Sequence, residues 1–114
     1  MGLLSREARR VRGVLTIIQV DGAVSSEELA AAPHLEDLQS WLGGGFIELV
    51  PYFTRYQGKP CLAFCDEDGK HKGMPINQRA TALWYELEPR FMGMDILVGP
   101  IVIVSGDEQL MREL

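Results

Sequence analysis

The chain has 114 residues, an apolar fraction of 46%, a charged fraction of 24% and a formal net charge of −5. This length suffices for one domain with its own core, and the composition excludes collagen-like, low-complexity and disulfide-scaffold proteins. No apolar run approaches the roughly 18–20 residues of a membrane span, and none resembles a secretory signal, so the sequence predicts a soluble protein.

Charge is unevenly distributed along the chain. Residues 1–12 hold four arginines and one glutamate, whereas residues 13–114 carry a net charge of −8. We therefore predict a basic N-terminal arm over residues 1–12, a single domain over residues 13–106 and a short acidic tail over residues 107–114. An acidic body repels a phosphate backbone, which argues against a nucleic-acid partner.

The two cysteines predict free thiols. Cys61 and Cys65 are four residues apart, and in a strand this spacing separates them by well over the roughly 7 Å that a disulfide allows. His34 and His71 are the only histidines, and the pattern matches no structural zinc spacing. Reduced, buried thiols suit a cytoplasmic protein, and we expect no metal site.

The first half of the chain predicts a strand and a helix. Residues 13–20 are β-branched and apolar on both faces, which indicates an interior strand ended by a turn at residues 21–22. Ser25 and Glu28 have capping-box spacing and predict a short Ala-rich helical turn. After Pro33, the stripe of Leu35, Leu38, Trp41 and Leu42 predicts a helix that residues 43–45 end.

The second half predicts three strands and a second helix. Residues 46–53, 61–65 and 95–104 are rich in strand formers, with a bend or bulge expected at residues 99–100 and a loop or hairpin turn at residues 55–59. Asn77 is a suitable N-cap for a helix that ends before Pro89, with apolar residues at Ala80, Leu83, Trp84 and Leu87. The fold class is therefore α+β, a single small domain with a four- to five-stranded, mostly antiparallel sheet and two helices packed on it.

Three segments resemble a known family. Residues 35–50 (LEDLQSWLGGGFIELV), 66–81 (DEDGKHKGMPINQRAT) and 95–104 (DILVGPIVIV) together resemble the domain-of-unknown-function family 3846. Its pattern departs here at Cys65, where Asn or Asp is usual, and at Ile76, where a second proline is common. The resemblance implies a small accessory protein of bacteriophages, plasmids or actinobacteria, and such proteins are often counter-defence factors in the bacterial cytoplasm.

The residues do not predict an enzyme. The acidic run at residues 66–68 is typical of a solvated turn, and His71 lies between two lysines with no nucleophile assigned to it. The glycines at residues 43–45 follow a helix, whereas a phosphate-binding loop precedes one. We expect no catalytic residues and no cofactor.

The first functional hypothesis is a binding module for a small anionic, nucleotide-type ligand, an immune signal that the protein would sequester. A mostly basic cluster of Lys70, Lys72, Asn77 and Arg79 lies just before and within the first turn of the second helix, where unpaired backbone N–H groups favour an anion. Arg79 could bind phosphate, Asn77 could read a base edge, and Tyr56, Trp84 or Tyr85 could stack on the base. The structural alternative is that Asn77 only caps the helix while Lys72 and Arg79 are solvated. A pocket elsewhere would centre on Arg55, Tyr56 and Lys59.

Two other functions stay open. The protein could inhibit a host defence complex, as anti-CRISPR and anti-restriction proteins do, through its acidic surface or an exposed strand edge. It could also be a structural or regulatory accessory without a ligand. In each case the apolar C-terminal strand and the small size predict a homo-oligomer.

Overall fold

The computed structural model describes residues 10–114, so most of the predicted basic arm, residues 1–9, lies outside the described part. Residues 10–114 form seven strands, three α-helices and one 3-10 turn: β1 (Gly13–Ile18), β2 (Val24–Leu29), α1 (Leu35–Trp41), β3 (Ile47–Leu49), β4 (Arg55–Tyr56), β5 (Lys59–Pro60), β6 (Leu62–Asp66), α2 (Gln78–Leu87), the 3-10 turn (Pro89–Phe91), β7 (Ile101–Gly106) and α3 (Glu108–Arg112). The fold is α+β, as the sequence predicts.

Five strands form one antiparallel sheet in the order β2-β1-β7-β6-β3, and β4 pairs with β5 in a separate hairpin. Strand β1 lies inside the sheet, where Leu15 pairs with Glu27 on one side and with Val104 on the other. This confirms the interior strand that the apolar faces of residues 13–20 predict. Strand β7 lies in the centre, with Ile101, Val102, Ile103 and Val104 all buried.

The predicted helical turn at Ser25–Glu28 is wrong, because these residues belong to β2. A tight turn with Gly22 at a φ of +90° folds the chain back, and residues 24–29 pair along the whole length of β1. The hydroxyls of Thr16 and Ser26 lie 3.1 Å apart across this pair. Pairing satisfies the backbone groups on that side of β1, which outweighs a local capping preference.

Both faces of the sheet are covered. One face carries Ile18, Ala63 and Ile103, which pack in a core cluster with Ala80 and Trp84 of α2. Ala63 is fully buried in this cluster.

The other face carries Leu15, Phe64 and Val104, and it packs in a second cluster with Leu38, Leu42 and Leu110 from α1 and α3. The assignment of Phe64 and Ala63 to opposite faces follows from the alternation of side chains along a strand.

Helix α1 begins at Leu35, and the Asp37 carboxylate accepts a hydrogen bond from the backbone N–H of His34. Leu38 and Leu42 are buried as predicted, but Leu35 is 54% exposed. The helix has seven residues, and its first residue lies beyond the part that packs on the sheet. The apolar stripe is therefore shorter than the sequence predicts.

Two predicted strands are too long. Residues 46–53 pair with β6 only over Ile47–Leu49. Residues 95–100 precede β7 instead of belonging to it, because Gly99 has a φ of +71° and interrupts the extended backbone. Val98 forms only an isolated bridge with Ile76. The carbonyl of Leu97 accepts from the backbone of Asn77, so this segment supports α2.

The residues predicted as an acidic tail contain a third helix. Asp107 accepts from the backbone N–H of Leu110 and also pairs with Arg12, while the Leu110 side chain is fully buried. The backbone N–H of Arg12 in turn donates to Leu29. The residue before β1 is therefore bonded both to the N-cap of α3 and to the end of β2.

Candidate functional site

One face of α2 forms the first wall of a surface cleft. Arg79, Leu83, Glu86 and Leu87 follow one another at spacings of four, three and one residues, which places all four on the same side of the helix. The adjacent side contains the buried Ala80, Thr81 and Trp84. The helix thus uses its buried side for the core and presents both signs of charge and two leucines to the cleft.

The β4–β5 hairpin forms the second wall. Its two-residue turn has positive φ at both Gln57 (+52°) and Gly58 (+77°), the geometry of the tight turns that suit antiparallel strands. Arg55 donates from Nη1 to the carbonyl of Gly58, and Tyr56 packs against the core cluster beneath α2. The turn therefore holds an arginine and an aromatic ring opposite the helix.

The cleft between these walls, called the Arg79 cleft below, has a volume of about 530 Å³. It is lined by Arg55, Tyr56, Gln57, Gly58, Arg79, Leu83, Glu86 and Leu87. Arg79 donates from Nη1 to the carbonyl of Gly22 at 2.8 Å, which fixes its guanidinium and leaves other N–H groups for a ligand. Among residues 10–114, neither Arg55 nor Arg79 forms an ion pair. Two guanidiniums and a tyrosine ring are thus available together.

Asn77 has a structural position. Its side chain is fully buried, donates from Nδ2 to the carbonyls of Ile18 and Gly99 at 2.9 Å each, and accepts from the N–H of Ala80 through Oδ1. The capping prediction is confirmed. The same contacts use both N–H donors of the amide, so the geometry corrects the idea that Asn77 reads a base edge.

Trp84 also has a structural position. It is 1% exposed, its Nε1–H donates to the carbonyl of Pro51 at 2.7 Å, and its ring stacks on Phe91 at 4.1 Å between centroids. Although the residue borders a second cleft, a ring that is 1% exposed and covered by Phe91 leaves almost no surface for a ligand, which corrects its assignment as a stacking platform. Stacking of a ligand base on the Tyr56 ring stays a prediction.

Lys72 does not line the Arg79 cleft. Its Nζ lies 2.6 Å from Oδ2 of Asp66, a carboxylate that is 1% exposed, and Lys70 pairs with Asp95. Burial alone would raise the pKa of Asp66, but hydrogen bonds from Lys72 and from the N–H of Asp68 outweigh it and lower that pKa. Both lysines therefore form ion pairs with carboxylates and, contrary to the prediction from the sequence, neither lies with Arg79 in the cleft.

A second cleft, of about 330 Å³, includes Glu48, Cys65, Glu67, Lys70 and His71 in its lining. Burial and the nearby Glu48 raise the pKa of Cys65 to about 11, so its thiol is protonated at neutral pH and is a poor nucleophile. Within the described ranges, no three His, Cys, Asp or Glu side chains are grouped to hold a metal ion.

Sequence reasoning missed five residues of the Arg79 cleft: Gln57, Gly58, Leu83, Glu86 and Leu87. The helical spacing of Arg79, Leu83, Glu86 and Leu87 is visible in the sequence and could have indicated Glu86 and the two leucines. Gln57 carries no such signal. Lys59, expected beside Arg55 and Tyr56, is exposed and borders a different depression next to Arg12.

The fold and this cleft define a small α+β domain with a two-walled binding cleft that contains both basic and acidic side chains. The chain belongs to the family described as domain of unknown function (DUF3846), whose model matches residues 13–113. This match extends beyond the segments that carry the resemblance and includes α3. No curated protein and no solved structure matches the chain. No helix in the part described here has the length and apolar character needed to cross a membrane.

Proposed function

We propose that this protein is a counter-defence protein of a phage or mobile element that acts in the bacterial cytoplasm. In this role it binds an anionic, nucleotide-type immune signal in the Arg79 cleft and sequesters it without chemical change. The observation that carries the proposal is the convergence of Arg55, Arg79 and Tyr56 on one cleft. A fixed guanidinium binds phosphate oxygens through charge-assisted hydrogen bonds, and a tyrosine ring stacks on a base.

The distribution of ion pairs supports this cleft over the lysine cluster. Lys70 and Lys72 are neutralised by Asp95 and Asp66, whereas within residues 10–114 Arg55 and Arg79 have backbone carbonyls as their hydrogen-bond partners. Binding an anion at the lysines would require breaking an ion pair to the buried Asp66. Binding at the arginines requires no such loss.

Calorimetric titration with cyclic oligonucleotides and ADP-ribose derivatives tests the proposal. Wild-type protein is expected to release or absorb heat with at least one of them. Arg79→Ala should weaken that ligand about 10- to 100-fold, the effect of losing a charge-assisted hydrogen bond. Arg112→Ala is the matched control, because Arg112 is 72% exposed on α3 and lies outside the cleft. No heat from any ligand, or equal affinities of the two variants, would contradict the proposal.

A second candidate is a protein-binding inhibitor of a host defence complex. The observation that favours it is strand β2, an edge strand of six residues with Glu27 and Glu28 exposed. Exposed edges can accept a strand from a partner. Under this alternative, purified protein retains a host protein, and the double variant Glu27→Lys, Glu28→Lys loses it. Under the first proposal, it co-purifies with an ultraviolet-absorbing small molecule.

A further inference from the structure

We infer that Glu86 makes the Arg79 cleft selective for nucleotides that present two adjacent hydrogen-bond donors at the end remote from their phosphate. The inference rests on the proposed function and names the ligand class of the same cleft. A carboxylate is not expected in a site for a simple anion, because it repels phosphate. Glu86 lines the cleft together with both arginines. No cation among residues 10–114 lies within ion-pair distance of its carboxylate.

The arrangement along α2 gives the cleft two chemically different ends. Arg79 lies in the first turn of the helix and Glu86 seven residues later, which separates their backbones by about 10 Å along the helix axis. Leu83 lies between them and supplies an apolar floor. A bound molecule would therefore place an anionic group at Arg79, a flat apolar body over Leu83 and hydrogen-bond donors at Glu86.

An ionised carboxylate only accepts hydrogen bonds, and its two oxygens accept from two neighbouring donors at once. In a nucleotide, two groups meet this requirement: the N1–H and 2-amino group of guanine, and the vicinal hydroxyls of a ribose. Both are uncharged and both can lie remote from a phosphate. Gln57, at the hairpin tip of the same cleft, has an amide that could pair with an acceptor beside those donors, such as the guanine O6.

Calorimetry with three monophosphates separates the two sources of donors. Guanosine 5′-monophosphate is the reference probe. Inosine 5′-monophosphate lacks the 2-amino group, and 2′,3′-dideoxyguanosine 5′-monophosphate lacks the vicinal hydroxyls. The wild-type protein should bind one of these two analogues at least about 10-fold more weakly than the reference, and the weaker analogue identifies the donor pair. Equal affinity for all three would overturn the inference.

Glu86→Gln provides a readout that a structural role would not produce. The variant should abolish the discrimination between the reference and the weaker analogue, while inorganic pyrophosphate should bind more tightly because a repulsive charge is gone. Glu36→Gln, the same change at an exposed position of α1, should alter neither. Unchanged discrimination, or weaker pyrophosphate binding, would overturn the inference.

These outcomes distinguish the inference from the proposed function. If Arg79→Ala weakens guanosine 5′-monophosphate while Glu86→Gln preserves all preferences, the nucleotide site stands and the role of Glu86 does not. If wild-type protein binds no monophosphate and none of the larger nucleotides, both are overturned.

Discussion

Asn77 joins three parts of the domain through one side chain. It caps α2 and hydrogen-bonds the carbonyl of Ile18 at the end of β1 and that of Gly99 just before β7. Ile18 is the last residue of β1, whereas Gly99 lies outside the regular strands. The side chain therefore stabilises the point where helix and sheet meet, close to Arg79 in the sequence.

We predict that Asn77→Ala lowers the free energy of unfolding by at least about 3 kcal/mol. The lost cap accounts for about 1 kcal/mol, and each buried carbonyl left without its donor adds about 1–3 kcal/mol. Urea denaturation followed by circular dichroism measures the change. Gln78→Ala, at the exposed next position, should stay within about 0.5 kcal/mol of wild type. Similar stabilities of the two variants would contradict this role of Asn77.

Asp66 links stability to pH. Its pKa is lowered in the folded protein by hydrogen bonds from Lys72 and the Asp68 N–H, which outweigh the opposing effect of burial. A carboxyl whose folded pKa is below its unfolded value stabilises the fold above the unfolded pKa, near about 4. This contribution is lost as the pH falls through the folded pKa.

We therefore predict that stability decreases on acidification below about pH 4 and that Asp66→Asn makes the decrease smaller. The variant should also be less stable than wild type at pH 7, because Lys72 loses its charged partner. Urea midpoints at pH 7, 5, 4 and 3 measure both effects. Asp68→Asn removes the same charge from an exposed neighbour and serves as control. A parallel pH dependence of wild type and Asp66→Asn would exclude this linkage.

At the level of secondary-structure elements, the domain extends through α3, because this helix contributes to the core. It has five residues, too few to be stable alone, so its helical conformation depends on packing. Leu110 is fully buried in the same core cluster as Leu15 and Val104, and a Cβ at Gly13 or Gly106 would lie within about 3.1 Å of its side chain. The close approach of two glycines thus makes room for the helix.

We predict that Leu110→Ala lowers the free energy of unfolding by about 2–5 kcal/mol through the cavity it leaves. Thermal and urea unfolding measure the loss. Glu108→Ala, at an exposed position of the same helix, is the control and should change stability little. If Leu110→Ala behaves like the control, residues 107–114 are the tail that the sequence predicts instead of a part of the core.

At the scale of the whole molecule, the structure changes the reason for expecting self-association. The apolar strand that motivates the homo-oligomer prediction is β7, and it lies in the middle of the sheet with both faces covered. The exposed apolar groups are elsewhere. Phe46, just before the edge strand β3, is 70% exposed, and Leu49, the last residue of that strand, is 50% exposed. An apolar edge strand is a surface on which a second copy can pair.

We predict that the protein forms a dimer or larger homo-oligomer at high concentration and that Phe46→Ser shifts it towards the monomer. Multi-angle light scattering over a concentration series measures the molar mass. Val24→Ser, on the opposite edge, is the control and should leave the mass unchanged. A strict monomer of wild-type protein at high concentration would contradict the prediction.

The sequence by itself determined the elements whose signals are local. The Asn77 cap, the end of α2 before Pro89 and the opposite faces of Ala63 and Phe64 follow from dihedral preferences and from the period of two along a strand. The family motifs add the membership, which the match to residues 13–113 shows. The sequence also indicates Arg79 and Tyr56 as candidate ligand-binding residues, but no local pattern indicates that they line the same cleft.

Only the tertiary structure decided the features that depend on distant partners. Residues 25–28 form a strand because pairing with β1 satisfies backbone groups along that strand. Lys72 lies outside the Arg79 cleft because its ammonium group pairs with the buried carboxylate of Asp66. Asn77 and Trp84 turned inwards because backbone carbonyls of remote segments accept their N–H groups. Pairing, desolvation and hydrogen-bond satisfaction act between residues up to 95 positions apart, so no local pattern in the sequence records them.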